Sequence, residues 1–207
     1  MSVAFVCTSA YITGHDQFGM ELLAGPEVSG ESVYYSLLIV PSNSSAETLQ
    51  DLQNKVFAFT DPISYSGRVY PTYLVQQLGH TPDSFFSRTF FTYSHDEAIY
   101  AVADGLADGA AVDSLVYDFA LERDVTLAER VRVIHRSPPF GIPPVVVSPN
   151  VRPQQQALLQ EVLLTMHETQ QGREALQALG LERFILIEDS AYDSARQITE
   201  IVGSLIP

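Results

Sequence analysis

This chain of 207 residues has a single cysteine, Cys7. That scarcity excludes both an intramolecular disulfide framework and a cysteine-rich zinc site. Cys7 lies in Val3-Ala4-Phe5-Val6-Cys7, where it reads as a small apolar strand residue, and no histidine is placed by the sequence to activate it. Basic residues are scarce too. Lys and Arg number 11 against 25 Asp and Glu, a formal charge of −14, which repels nucleic-acid backbones and anionic membrane surfaces. That charge does not exclude a small anionic ligand, because oriented neutral donors hold an anion whatever the sign of the outer surface. The N-terminus lacks a basic stretch followed by an apolar run and a small-residue cleavage site, so no secretory signal is expected. No apolar run reaches transmembrane length. His15, His80, His95, His135 and His167 show no paired ligand spacing, so neither a metal nor a cofactor is expected. Repeats and low-complexity segments are absent.

What the chain does have is 46% hydrophobic residues, ample for a folded core. It also has one stretch around which the rest is organised, Thr60-Asp61-Pro62-Ile63-Ser64-Tyr65-Ser66-Gly67. Val56, Phe57, Ala58 and Phe59 before it read as a short apolar strand. From Arg68 to Leu78, the spacing of Val69, Tyr73, Leu74 and Leu78 predicts a helix, which Gly79 stops. A helix starting near Ser66 leaves its first N–H groups without carbonyl partners, at the positive end of its dipole, where an oxyanion fits. Ser64 and Ser66 add hydroxyls and Gly67 allows close approach. The same serines also suit a plain N-cap, and these eight residues alone do not choose between the two roles.

Along the chain, strands are expected at 3–7, 20–24, 34–40, 88–92, 109–113, 131–134 and 145–148. Ser94-His95-Asp96-Glu97 reads as a capping box opening a helix that buries Ile99, Val102, Ala103 and Leu106. Asp113 ends a buried strand, and Ser114 begins a helix. Arg152 and Pro153 start a helix of about five turns to Gln170, with Leu158, Leu159, Val162, Leu163 and Met166 as its buried stripe. Phe184-Ile185 falls in an irregular segment, and Tyr192 to Val202 is the last helix. The polar break after Pro41 and the proline-rich run from Ser137 to Pro144 mark two chain crossings. The expected organisation is therefore two α/β lobes, 1–42 with 139–207 and an inserted 43–138, joined by hinge strands 34–41 and 144–148.

Several stretches together carry a resemblance. They are Tyr34-Tyr35-Ser36, Phe57-Ala58-Phe59 with the Ser64 to Gly67 turn, Ser94-His95-Asp96, the segment Gly105 to Ser114, and the return from Ser137 to Val147. In these the chain resembles the solute-binding proteins of phosphate, phosphite and phosphonate ABC transporters, of the type 2 periplasmic-binding-protein fold. The resemblance implies a bilobed α/β receptor, outside the cytoplasm, that binds a small phosphorus oxyanion and presents it to a membrane permease. It places the family's Ser-Thr-Ser-Gly turn on Ser64, Tyr65, Ser66 and Gly67, its histidine on His95 and its acidic residue on Asp113. A hinge aromatic falls on Tyr34 or Tyr35, and Tyr11 matches a cleft-lining position. Tyr65 departs from the family's threonine, and only its backbone N–H is expected to serve. A bound anion would favour the protonated form of His95, and Asp113 beside it implies a ligand carrying P–OH or an ammonium group.

A second departure is that the family's first strand-helix units, on the order of 50 residues, precede the equivalent of Val3. A first lobe lacking them is expected to expose a sheet edge and to pair with another copy of the chain. Two rival readings stand beside this one. The fold could serve as an extracytoplasmic sensor domain, or Ser64 or Ser66 with His95 and Asp113 could form a hydrolase triad, although no Gly-x-Ser-x-Gly elbow is present. Binding without catalysis is the expectation.

Overall fold

The computed structural model describes residues 2–203, an α/β chain whose strands fall into separate sheets. These residues group into two compact units, one of 2–33 and 140–196, the other of 34–139 and 197–203.

In the first unit the strand order is Val3–Phe5, Val145–Val147, Glu21–Glu27, Arg183–Ile185, and every neighbouring pair is antiparallel. Val145, Val146 and Val147 are fully buried, as β-branched residues of an inner strand should be. Leu23, Ala24, Val145, Val147, Leu176 and Phe184 form the core, with Leu159, Leu163, Leu164 and Met166 packed against it. Three expectations fail here. Phe184 and Ile185 lie in a regular strand pairing Pro26 and Gly25 rather than in an irregular segment. The helix from Pro153 ends at Thr165, one turn of 3₁₀ follows, and a new helix, Gln170–Ala178, begins behind Thr169, whose hydroxyl accepts the Gly172 N–H. Leu158 and Val162 are not part of a buried stripe: they are 60% and 56% exposed, because only the Leu159 and Leu163 side of that helix meets the sheet.

The second unit holds a mixed sheet ordered Arg88–Phe91, Val56–Phe59, Gly109–Asp113, Ser36–Pro41, Val131–Arg136. The first three strands are parallel, and Ser36–Pro41 runs antiparallel to both of its neighbours. Both faces of the sheet are covered, and strand periodicity divides the residues between them. Leu37, Ile39, Ala58, Ala110 and Val112 pack with Ala98, Ile99 and Val102 of the helix His95–Ala103. Leu38, Val40, Phe57, Phe59 and Ala111 pack on the other side with Leu52, Val75, Phe85 and Phe86. On that side Phe57 and Phe86 stack with ring centroids 4.4 Å apart. Leu106 lies beyond the helix end at Ala103 and is exposed rather than buried.

The placement of Ser36–Pro41 corrects the expected organisation. Residues 34–41 are not a hinge strand leaving a domain that starts at 43. They fill the gap between Gly109–Asp113 and Val131–Arg136, so the crossings fall at 33/34 and 139/140, and residues 197–203 join the second unit. The reason is burial: Ser36 to Val40 are all buried, and a strand apolar on both faces belongs inside a sheet.

Candidate functional site

In parallel α/β sheets the carboxyl ends of the strands hold the ligand sites. In the second unit, residues 60–67 follow the end of Val56–Phe59, and Asp113 ends its neighbour. Ser36 begins the antiparallel strand directly opposite Asp113.

Ser64 is the cap of a continuous helical segment, a π-helical turn over Tyr65–Val69 that passes into the α-helix Tyr70–Gln77. Its hydroxyl accepts the Gly67 N–H at 3.0 Å, which fills the capping role. Pro71 explains the irregular start. It has no N–H to offer the carbonyl four residues back, and that carbonyl, of Gly67, accepts the Thr60 N–H instead at 3.3 Å. Val69 N–H reaches back five residues to the Ser64 carbonyl. On the strand side, the Asp61 carboxylate accepts the Ile63 N–H at 2.9 Å and its carbonyl accepts the Ser64 N–H.

Gly67 is required sterically. A Cβ there would lie 1.7 Å from Thr60 Oγ1, which is fully buried and has no hydrogen-bond partner among the described residues. Tyr65 turns its side chain inward and is 1% exposed, near Tyr70 and Tyr73, and burial pushes its phenol pKa up.

His95 opens the helix His95–Ala103 with Ser94 as its cap; Ser94 Oγ accepts the Glu97 N–H at 3.5 Å. The main-chain N–H of Asp113 donates to His95 Nδ1 at 3.0 Å. Nδ1 therefore carries no proton, and the ring's hydrogen sits on Nε2, which faces Ser64 Oγ at 3.5 Å. Burial pushes the His95 pKa down to about 4, outweighing the attraction of Asp61. Burial and the Asp113 N–H bond thus both favour the neutral ring with its hydrogen on Nε2, because an imidazolium would lose solvation and that bond.

Asp113 is 7% exposed. Burial pushes its pKa up to about 7, against the opposing pull of the Leu115 N–H, which donates to its Oδ1 at 2.8 Å. Ser64, His95 and Asp113 do not form a hydrolase triad. His95 Nδ1 faces a main-chain N–H instead of a carboxylate, and the Asp113 carboxylate caps its own helix, Ser114–Arg123.

The remaining expected residues divide. Tyr35 borders the Asp113 junction: its N–H donates to Ser114 Oγ, its carbonyl accepts the Ser114 N–H, and Arg136 lies 3.6 Å over its ring. Tyr34 is buried at 1% exposure. Tyr11 belongs to the first unit, where its hydroxyl donates to Asp189 at 2.7 Å and its ring meets Tyr192. Sequence reasoning missed Thr60, Ser36 and Ser137. Ser36 stands in the Tyr34-Tyr35-Ser36 stretch quoted for the resemblance, and its own signal was a lone hydroxyl opening an apolar strand, a position that demands a partner.

Comparison with known proteins gives this geometry a setting. A family model described as the periplasmic substrate-binding protein of phosphonate ABC transporters matches residues 1–192. The fold is similar to a binding component of an ABC phosphonate transporter from Pseudomonas aeruginosa (TM-score 0.88, 24% identity), over 98% of this chain and 68% of that one. It is similar to PhnD1 from Prochlorococcus marinus, in complex with methylphosphonate (TM-score 0.84, 19% identity), over 98% and 78%. It also resembles the aliphatic sulphonate binding protein SsuA from Escherichia coli (TM-score 0.64, 16% identity), over 97% and 74%. Among the described residues no helix is long and apolar enough to cross a membrane.

Proposed function

The chain belongs to the family of periplasmic substrate-binding proteins of phosphonate ABC transporters, and from that premise we propose that it binds a phosphorus oxyanion on the 64–67 turn and presents it to a membrane permease in the periplasm. The observation that carries this reading is the connected set Ser64, His95 and Asp113 at one end of the second unit's sheet. The first N–H groups of a helix lack intrahelical acceptors and sit at the positive end of its dipole. Ser64 and Ser66 add hydroxyls, and His95 adds a neutral Nε2–H aimed at Ser64. None of these donors needs a net positive charge, which reconciles anion binding with a chain of charge −14.

Asp113 narrows the ligand class. A carboxylate repels an oxyanion unless a proton lies between them, and burial keeps this carboxyl protonated up to about pH 7. The site accordingly suits ligands that share a proton with Asp113 or offer it an ammonium group, such as phosphonates, phosphite or monoprotonated phosphate. A sulfonate brings neither, so it is disfavoured above about pH 7, where Asp113 has no proton of its own to give.

Isothermal calorimetry at pH 8 with methylphosphonate, 2-aminoethylphosphonate, phosphite, phosphate and methanesulfonate tests this. We expect saturable binding of at least one phosphorus ligand, at least tenfold tighter than methanesulfonate, and lost on Ser66→Ala. Absence of heat with every phosphorus ligand, from a chain that unfolds cooperatively, would overturn the reading.

A further inference from the structure

We propose that Ser36 is a positioning residue for the oxyanion turn, holding the Ser66–Gly67 peptide in the orientation that binding requires. This rests on the oxyanion reading above. Ser36 is fully buried between Tyr35 and the apolar run Leu37 to Val40, where a hydroxyl is costly unless it is bonded. Its Oγ–H donates to the Ser66 carbonyl at 2.6 Å. The other side of the same peptide, the Gly67 N–H, donates to Ser64 Oγ at 3.0 Å.

A peptide unit is planar, so anchoring its oxygen and its N–H fixes its rotation, and with it ψ of Ser66 and φ of Gly67. That anchoring matters at this residue in particular. Thr60 forbids a side chain at position 67, and glycine by itself offers little resistance to rotation. The turn therefore gains its close approach from a residue with no stiffness of its own, and the stiffness comes from Ser36. Gly67 N–H also occupies Ser64 Oγ as an acceptor, which leaves the Ser64 hydroxyl hydrogen to point elsewhere.

Ser36 is itself anchored. Its N–H donates to Ser137 Oγ at 2.9 Å, its carbonyl accepts the Ser137 N–H at 3.0 Å, and Ser137 Oγ–H donates to the Pro138 carbonyl at 2.7 Å. Opposite it in the ladder is Asp113. One buried hydroxyl thus ties the turn to the strand that faces the acidic group and to the segment just before the 139/140 crossing. Sites of this kind tolerate displacements of about 0.5 Å, so release of the peptide should be visible in affinity.

The test compares wild type, Ser36→Ala and Ser36→Thr by two readouts: methylphosphonate affinity by calorimetry, and hydrogen exchange of the Gly67 amide by NMR, with Ala58 and Val112 as core controls. We expect Ser36→Ala to speed Gly67 exchange at least tenfold, leave Ala58 and Val112 protected, and weaken methylphosphonate at least tenfold. Ser36→Thr, which keeps the hydroxyl, should restore both. Unchanged Gly67 exchange overturns the proposal even if affinity falls, and so does faster exchange with unchanged affinity. If wild type binds no phosphorus ligand while Gly67 exchange still rises in Ser36→Ala, the positioning role stands and the oxyanion reading falls. Should Ser36→Ala not fold, Ser137→Ala removes the support behind Ser36; a smaller change in the same direction is expected, and none would overturn the proposal.

Discussion

Replacing Asp113 with asparagine should stabilise the protein, and by an amount that grows with pH. Burial raises this carboxyl from an ordinary 3.8 to about 7. Between those values the folded chain binds more protons than the unfolded one, so Asp113 makes stability fall as pH rises through the window, and the loss is complete above about pH 7. At 1.36 kcal/mol for each tenfold, the full cost is about 4 kcal/mol, a ceiling that any water reaching the group lowers. At about pH 4.5 the same linkage leaves a cost of only about 1 kcal/mol. Asparagine removes the ionisation and keeps the cap, since its side-chain oxygen can accept the Leu115 N–H that Asp113 Oδ1 now accepts. Urea unfolding of wild type and Asp113→Asn at pH 4.5 and pH 8 should therefore give a gain about 3 kcal/mol larger at the higher pH. His95 titrates in both proteins and largely cancels from the difference. Equal gains at the two pH values would refute the argument that Asp113 is held neutral by burial.

Other outcomes follow from the same geometry. His95 contributes with the opposite sign: folded at about 4 against an ordinary 6.5, it makes stability fall as pH drops through that window, by up to about 3 kcal/mol. Asp113 offsets it in wild type, so Asp113→Asn should expose a steep acid limb in urea titrations, and adding His95→Gln should flatten it. Gly67→Ala should cost about 2 kcal/mol or more by the same assay, and Thr60→Ala should partly rescue it, because the added Cβ meets Thr60 Oγ1 first. Tyr65→Phe should leave methylphosphonate affinity within about twofold in calorimetry, since the phenol is buried away from the turn's solvent side. Phe57→Ala should lower unfolding stability by about 3–5 kcal/mol, as Phe57 is fully buried and stacked on Phe86.

Much of the second unit was legible in the residue order because its signals are local. The apolar run at 56–59, the hydroxyl-rich turn with Pro62, and Ser94 three residues before Glu97 each act through neighbours a few residues away. The first unit was less legible. Its sheet joins strands far apart in the chain, so Arg183–Ile185 gains strand character only from pairing with Glu21–Glu27. The helix face at Leu158 and Val162 fits an apolar stripe, but periodicity says which residues share a face and not how much of that face meets a partner.

The sequence by itself determined the α/β class, a helix start within the hydroxyl-rich 64–67 turn, and the residue types that gather there, because backbone propensity and capping act over a single turn. Only the tertiary structure decided three things. It placed Ser36–Pro41 inside the second sheet, since a strand buried on both faces needs neighbours on either side. It made His95 a neutral donor and Asp113 a reluctant acid, since desolvation depends on everything packed around a group. And it brought Ser36 within 2.6 Å of a carbonyl thirty residues away, a contact that strand pairing creates and no local pattern encodes.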